Sequence, residues 1–171
     1  LAAGVLSTNV TVTPLGTNLG SDQVNVSLGL LTNASYLVGA LSNATVVIKD
    51  RPLNIWYRAN PGIGNDFVDF DGDGLPNLLE YALGRSPSSP DPNPLNVSVT
   101  NGHLQIVFTT SKATDVLSAL AWSPDLSNWS SGISYFERID TLFGDDFATN
   151  TYRTTGLISS TNMVFVRLQA T

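Results

Sequence analysis

Residues 69–84 read DFDGDGLPNLLEYALG and place four carboxylates and one amide within the first twelve positions. Counted from Asp69, the oxygen-bearing side chains stand at positions 1, 3, 5, 9 and 12, and a glycine stands at position 6. Alternate side chains of a tight loop can converge on one centre, where carboxylates repel one another unless a cation lies between them. The spacing therefore predicts a cation-binding loop.

The predicted ion is Ca²⁺, because this hard cation takes about six to eight oxygen ligands. The predicted ligands are Asp69, Asp71, Asp73, the backbone carbonyl of Leu75, Asn77 and Glu80. This is the ligand spacing of an EF-hand calcium loop, in which Gly74 provides the bend and Glu80 closes the site with both oxygens. Mg²⁺ fits less well, because it prefers fewer protein ligands. A solvated acidic turn is the alternative, but it gives no reason for the glycine and the glutamate at their positions.

The sequence around the loop indicates a short helix on one side only. Residues 76–83 (PNLLEYAL) predict a helix with Pro76 in its first turn, and Gly84 suits a left-handed stop after it. Residues 60–68 (NPGIGNDFV) are not expected to be helical, so the entering helix of a paired EF-hand is missing. We therefore expect a single half-hand, which suits a structural staple better than a calcium sensor.

Residues 1–50 alternate apolar and polar residues in three stretches, at 9–13, 24–30 and 44–50. This alternation predicts three or four half-buried antiparallel strands, with VLSTN (5–9) as an extension of the first. A complete sandwich needs about seven strands. The missing strands would come from upstream sequence, from residues 95–171 or from a neighbouring subunit that donates a strand.

Residues 95–171 return to the strand pattern. LNVSVT, the turn at Asn101–Gly102 and HLQIVFT predict a β-hairpin. The further candidate strands are residues 117–123, 133–139, 150–157 and 162–170. Their spacing indicates a small β-sandwich.

Two segments between the strand-rich regions are predicted to be irregular. Residues 51–65 (RPLNIWYRANPGIGN) are interrupted by prolines and glycines, and residues 85–94 (RSPSSPDPNP) carry four prolines in ten positions. The calcium loop lies between them. The sequence therefore predicts that the ion, the short helix and the linker hold two β-modules in a fixed pose.

The composition limits the classes of function. Of the 14 acidic residues, five lie within 66–80, which leaves nine acids against eight Lys and Arg in the rest of the chain. This balance provides no basic surface for nucleic acid. There is no cysteine, so disulfides and thiolate metal sites are excluded. No apolar run approaches the ~18 residues of a membrane span. The chain begins at Leu1 without Met, and we expect that a leader or an upstream region has been removed.

Three segments resemble known families. DGDGLPNLLEYALGRSP (71–87) resembles the calcium-binding segment of many secreted bacterial proteins, which is similar to dockerin and thrombospondin type 3 loops. Residues 10–50 resemble the C-terminal half of a Calx-beta domain, which is an immunoglobulin-like sandwich. LAWSPDLSNWS (120–130) followed by MVFVRLQ (163–169) resembles the C-terminal β-module that often follows such loops. The resemblance implies export to the cell surface or the extracellular space.

We therefore expect a mainly β protein made of two small antiparallel β-sandwich (Ig-like) modules joined by a calcium loop and a short helix. The expected division is an incomplete Calx-beta-like module (1–50), a connector with the calcium loop at 69–80 (51–94) and a C-terminal β-sandwich module (95–171).

Other candidate sites have less support. His103 is the one histidine, and a lone strand histidine is rarely a catalytic base. Asp145–Asp146 fits a turn or a secondary cation site better than a pair of catalytic carboxylates. Trp122 and Trp129 are either core anchors or a sugar-stacking platform. Possible glycosylation sequons stand at Asn9, Asn25, Asn33, Asn43, Asn96 and Asn128.

Two hypotheses for the function follow. The first is a non-catalytic extracellular structural protein, stabilised by calcium, that self-associates into a filament or surface layer by β-strand complementation. The second is a C-terminal accessory region of a larger secreted bacterial enzyme or adhesin, which contacts upstream domains of the same chain and binds carbohydrate.

Overall fold

The computed structural model describes residues 8–16, 20–91, 93–113, 115–158 and 164–171 of the chain. Within them the protein is mainly β, as the sequence predicts, with three antiparallel sheets and two short helices. The strands are β1 (Gln23–Gly29), β2 (Asn43–Lys49), β3 (Asn96–Thr100), β4 (His103–Ser111), β5 (Ser118–Ser123), β6 (Ser130–Ser131), β7 (Phe136–Phe143), β8 (Phe147–Thr154) and β9 (Phe165–Ala170). The helices are α1 (Pro52–Ala59) and α2 (Asn77–Leu83). Among the described residues, no helix has the length and the hydropathy of a membrane span.

The chain divides into two compact units, an N-terminal unit (Leu1–Ile55) and a C-terminal unit (Trp56–Thr171). In the N-terminal unit, β1 and β2 pair antiparallel and form a two-stranded ribbon. The register places six apolar residues on one face: Val24, Val26, Leu28, Ala44, Val46 and Ile48. The opposite face is mostly polar, and the hydroxyls of Ser27 and Thr45 lie 3.2 Å apart on it. The ribbon therefore has one apolar face.

The prediction of three or four strands in residues 1–50 is wrong for the described residues, which form two. Residues 9–13 form no strand, although their alternation is regular, and Val10 is 65% exposed. A strand needs a neighbour for its backbone hydrogen bonds, and this stretch pairs with none of the described residues. The predicted extension at 5–9 lies in part outside the described residues, which begin at position 8.

The prediction that residues 51–65 are irregular is wrong for the first part of this segment, which forms α1. Pro52 is the first helical residue, where a missing N–H costs nothing and the fixed φ favours the helix. Just before it, Oδ1 of Asp50 accepts a 2.8 Å hydrogen bond from the backbone N–H of Arg51. Residues 60–68 are not helical, as the sequence predicts.

The C-terminal unit contains two sheets, with strand orders β3-β4-β8-β7 and β6-β5-β9. The hairpin β3–β4 forms as predicted, with φ values of 51° at Asn101 and 80° at Gly102. Side chains from both sheets and from α2 form the core, whose buried members are Leu83, Ile106, Phe108, Leu120 and Phe136. The strand predicted at 162–170 corresponds to β9, and residues 162 and 163 lie outside the described residues.

Helix α2 joins the acidic loop to this core. It begins at Asn77, one position later than the sequence predicts, because Pro76 is the N-cap in an extended conformation (φ −65°, ψ 149°). Gly84 ends the helix in the left-handed conformation (φ 68°), as predicted. Its neighbour Leu83 is 1% exposed and lies in the core cluster. The position of the loop is therefore fixed by the packing of the helix that follows it.

Candidate metal centre

Asp69, Asp71 and Asp73 each bring a carboxylate oxygen to within 4.8 Å of the other two. Backbone donors hold this arrangement. The N–H groups of Gly72 and Gly74 donate to Oδ1 and Oδ2 of Asp69 at 2.8 and 2.9 Å. The N–H of Asp73 donates to Oδ1 of Asp71 at 3.2 Å. The loop is thus wound around its own carboxylates.

Gly74 and Leu75 set the path of the loop where it turns toward α2. Gly74 has a φ of 95°, so the glycine at position 6 provides the bend that the sequence predicts. The N–H of Leu75 donates to Oδ1 of Asp73 at 2.8 Å. The Leu75 side chain is buried, which anchors the loop on the unit. Coordination through the carbonyl of Leu75 stays a prediction.

Four buried side-chain oxygens of residues 69–80 have no hydrogen-bond partner among the described residues. They are Oδ2 of Asp71, Oδ1 of Asn77, and Oε1 and Oε2 of Glu80. Asn77 and Glu80 are both 0% exposed. An unpaired buried acceptor costs about 1–3 kcal/mol, and more when it is charged. Oxygens of this kind, placed at predicted ligand positions, fit coordination of a hard divalent cation.

The charge of Glu80 is unfavourable in this environment. Burial is the largest cause that raises the pKa of Glu80 from 4.5 to about 7, and the negative charges of Asp71, Asp73, Asp69 and Asp91 contribute to the same increase in that order of importance. A cation at the centre of the loop opposes both effects. The carboxylate that the sequence predicts to close the site is therefore the one that most needs a positive charge beside it.

The side chain of Asn77 is oriented by its amide donors. Its Nδ2 donates to the backbone carbonyls of Ile63 and Asn65, each at 2.9 Å. These two bonds distinguish the nitrogen from the oxygen and leave Oδ1 as the free acceptor. The backbone N–H of Asn77 also donates to the carbonyl of Val68 at 2.8 Å. The segment before the loop and the first residue of α2 are thus joined.

Three supporting contacts were not predicted from the sequence. The N–H of Asp91, in the proline-rich linker, donates to Oδ2 of Asp73 at 2.9 Å, and Asp91 pairs with Arg85 at 3.3 Å. The hydroxyl of Tyr57 donates to Oδ1 of Asp66 at 2.7 Å, and burial, with the bond to Asp66, raises the pKa of Tyr57 above its usual range. Asp91 is the one acidic residue of the proline-rich linker, which is the only sequence signal for its role.

The two candidate sugar-stacking residues are engaged within the C-terminal unit. Trp122 packs against the core cluster and stacks on Tyr135 with ring centroids 4.9 Å apart. Trp129 donates from Nε1 to the carbonyl of Leu126 at 3.0 Å, and the guanidinium of Arg167 lies 4.2 Å from its ring centroid. These contacts fit core and surface anchors, and carbohydrate stacking stays a prediction.

The six sequon asparagines, Asn9, Asn25, Asn33, Asn43, Asn96 and Asn128, are all exposed. Asn128 differs from the others because its Nδ2, the atom that glycosylation would modify, donates to Oδ2 of Asp125 at 2.9 Å. Hydrogen bonds from this loop hold the pKa of Asp125 below its usual range. Exposure at the six positions is compatible with glycosylation, which stays a prediction.

The groups considered for catalysis make hydrogen bonds within the C-terminal unit. Nδ1 of His103 donates to the carbonyl of Thr154 at 2.7 Å and so ties β4 to the end of β8. Asp145 and Asp146 lie in the turn between β7 and β8, as predicted, and their backbone carbonyls accept bonds from Lys112 at 2.7 and 3.3 Å.

In comparisons with known proteins, no protein-family model, no curated protein and no solved structure matches this chain.

Proposed function

We propose that this protein is a non-catalytic extracellular structural protein whose C-terminal unit is stabilised by Ca²⁺ bound to residues 69–80. The observation that carries the proposal is Glu80, which is fully buried with two unpartnered carboxylate oxygens beside three converging aspartates. A fourth carboxylate brought to such a cluster without a cation is expected to protonate or to move away. The spacing of the loop and the burial of the side chain thus both indicate that Glu80 binds the ion.

Calcium is favoured over magnesium by the number of protein oxygens. The six predicted ligands, Asp69, Asp71, Asp73, Leu75, Asn77 and Glu80, supply seven oxygens if Glu80 binds with both. Ca²⁺ takes about six to eight oxygens in a flexible shell, whereas Mg²⁺ keeps several waters in a strict octahedron. The resemblance of residues 71–87 to calcium loops of secreted bacterial proteins supports the same choice.

The ion would act on stability through α2. The loop contacts residues 63–68 on one side and Asp91 on the other, and α2 carries Leu83 into the core. All of these contacts lie within the C-terminal unit, so the proposed role is to hold this unit together. At free calcium about a hundredfold above Kd, the ion would add roughly 2.7 kcal/mol to the free energy of unfolding.

Self-association is supported by the β1–β2 ribbon. Its apolar face is partly exposed, with Val24 at 39%, Leu28 at 38% and Val46 at 41%. A two-stranded ribbon is marginal alone and gains stability when further strands cover its face and pair with its edges. Strand complementation between copies would supply this, in agreement with the Calx-beta resemblance of residues 10–50.

The test of the calcium proposal is thermal unfolding in Ca²⁺ and in EGTA. We expect calcium to raise the melting temperature of the full chain by roughly 10 °C. Glu80→Ala should abolish the increase, whereas Asp145→Ala, in the exposed β7–β8 turn, should retain it. Equal melting temperatures with and without calcium in the unsubstituted protein would contradict the proposal.

Native mass in calcium distinguishes the proposal from the accessory-region alternative. Polymers are expected for the structural protein, and a monodisperse monomer is expected for an accessory region. Binding to a glycan array that Trp122→Ala or Trp129→Ala abolishes would favour the alternative.

A further inference from the structure

A groove of about 340 Å³ lies beside the calcium loop within the C-terminal unit. Its apolar lining consists of Phe67, Pro76, Leu78, Leu79, Leu168 and Ala170. Phe67 is 86% exposed, which is unusual for a phenylalanine that is not covered by a partner. The groove therefore offers apolar surface that a ligand or a second chain can bury.

One wall of the groove is the edge of a sheet. Strand β9 is the outer strand in the order β6-β5-β9, and no other strand of the described residues pairs with its free side. Such an edge presents a row of backbone N–H and C=O groups to an incoming strand. A free edge next to an apolar groove is the arrangement that binds an extended peptide, whose backbone pairs with the edge and whose alternate side chains enter the groove.

The charge around the groove favours one sign of charge on the strand that binds there. Asp66 and Arg167 line the groove and offset each other in charge, and the loop residues Asp69, Asp71, Asp73 and Glu80 adjoin it in sequence. One bound Ca²⁺ offsets only half of the four loop carboxylates. The rim therefore stays negative in the calcium form and favours a strand that carries positive charge and no negative charge.

Strand β2 of this chain has these properties. Its apolar residues alternate at Ala44, Val46 and Ile48, and its outer side pairs with none of the described residues. Lys49 is the one charged residue of β1 and β2, and it is exposed. The sequence NATVVIK thus combines the apolar alternation that the groove requires with a charge of the required sign.

We propose that β2 of a second copy of this chain adds to the free edge of β9 and places its apolar face over the groove. The proposal rests on the proposed function, since it names the donor and the acceptor of the strand complementation. Donor and acceptor are different surfaces of one chain, so the contact is head-to-tail and continues into an open polymer unless the rotation closes a ring. Because Pro76, Leu78 and Leu79 of the calcium loop and α2 form part of the groove, the assembly depends on calcium.

The experiment is sedimentation velocity of the full chain in Ca²⁺ and in EGTA, with two matched pairs of variants. On the acceptor, Phe67→Ser is compared with Phe143→Ser, since Phe143 is 74% exposed at the end of β7. On the donor, Val46→Asp is compared with Val47→Asp, because Val46 lies on the apolar face of the ribbon and Val47, with similar exposure, lies on the other face. The melting temperature of every variant is measured in both buffers.

We expect polymers in calcium, with Phe67→Ser and Val46→Asp each weakening self-association on the order of tenfold. Phe143→Ser and Val47→Asp should assemble like the unsubstituted protein. Chelation should shift the unsubstituted protein toward the monomer.

Polymers that are unaffected by Phe67→Ser and Val46→Asp would overturn this inference and leave the assembly proposal standing. A monomer whose melting temperature rises with calcium would overturn the inference and leave the proposed calcium site standing. If calcium has no effect on the melting temperature, the calcium proposal itself fails.

Discussion

The backbone N–H of Asp91 donates a 2.9 Å hydrogen bond to Oδ2 of Asp73, 18 residues earlier in the chain. This bond attaches the proline-rich linker to the acidic loop. Asp91 also pairs with Arg85, which follows the end of α2. The linker therefore contacts both the loop and the residue that follows the helix. The carboxylate of Asp73 belongs both to the candidate metal centre and to the linker contact.

Removal of calcium should consequently loosen the linker as well as the loop. We expect amide hydrogen exchange in EGTA to accelerate across residues 66–91, because the carboxylates repel one another once the cation is gone. Exchange in β4 and β8, which pair in the middle of their sheet, should change little. The measurement is hydrogen–deuterium exchange read by mass spectrometry.

Two variants serve as controls for this exchange experiment. Asp73→Ala should produce fast exchange at residues 85–91 even in calcium, while Asp146→Ala should exchange like the unsubstituted protein. Linker exchange that is slow in EGTA would contradict the coupling.

Without calcium, the stability of the C-terminal unit should fall as pH rises from about 4.5 to 7. The pKa of Glu80 is about 7 in the folded protein against 4.5 as its ordinary value, so the folded state binds more protons in this window. Stability then decreases with pH, by at most about 3 kcal/mol in total. Below pH 4.5 Glu80 is protonated in both states and contributes nothing to the dependence.

Glu80→Gln is the matched variant for this dependence. In EGTA it should be more stable than the unsubstituted protein at pH 7.5 and should lose the decrease between pH 4.5 and 7. In calcium at pH 7.5 the order should reverse, because the variant has lost the charge that binds the ion. Urea unfolding at several pH values measures both effects, and a parallel pH profile for the two proteins would contradict the role of Glu80.

The local parts of the structure follow from the sequence. Gly74, Gly84 and Asn101–Gly102 adopt positive φ where turn chemistry predicts it. The ligand spacing likewise predicts that Asp69, Asp71 and Asp73 converge, since this depends on one short loop.

The errors have two physical sources. Helix α1 was not expected because Pro52 reads as a breaker, although a proline is favourable at the first helical position. The stretch 9–13 has strand alternation but no partner strand in the described residues, and alternation alone does not provide one. The bond from Asp91 to Asp73 and the packing of Phe147 on Gly84 depend on tertiary structure, which no local pattern contains.

Gly84→Ala should destabilise the C-terminal unit by more than the cost of its backbone conformation. Gly84 has a φ of 68°, and a Cβ there would lie 2.2 Å from Cε1 of Phe147. The backbone term alone is about 1 kcal/mol, and displacement of a packed ring adds about 1–3 kcal/mol. Gly62→Ala is the control, because its φ is 90° but no atom lies within 4 Å of the added Cβ.

The ring contact can be separated from the backbone term by a second substitution. In the double variant Gly84→Ala/Phe147→Ala, the clash is absent, so the cost of Gly84→Ala should fall to about that of Gly62→Ala. Guanidinium unfolding of the unsubstituted protein, of Gly84→Ala, Phe147→Ala and Gly62→Ala, and of the double variant measures this. Equal costs of Gly84→Ala in the presence and absence of Phe147 would show that the ring is not the cause.

Leu83→Ala tests whether α2 connects the loop to the core. Leu83 is 1% exposed within the core cluster, so the substitution should lower the free energy of unfolding by about 2–5 kcal/mol. It should also weaken calcium binding, because α2, which carries Glu80, then loses its fixed position. Leu142→Ala, at a position that is 70% exposed on β7, should change the free energy of unfolding by less than about 0.5 kcal/mol and leave calcium binding unchanged. Isothermal titration calorimetry with Ca²⁺, performed below the melting temperature of each variant, measures the binding. Unaltered affinity in a destabilised Leu83→Ala protein would show that the loop holds its ligands independently of the core.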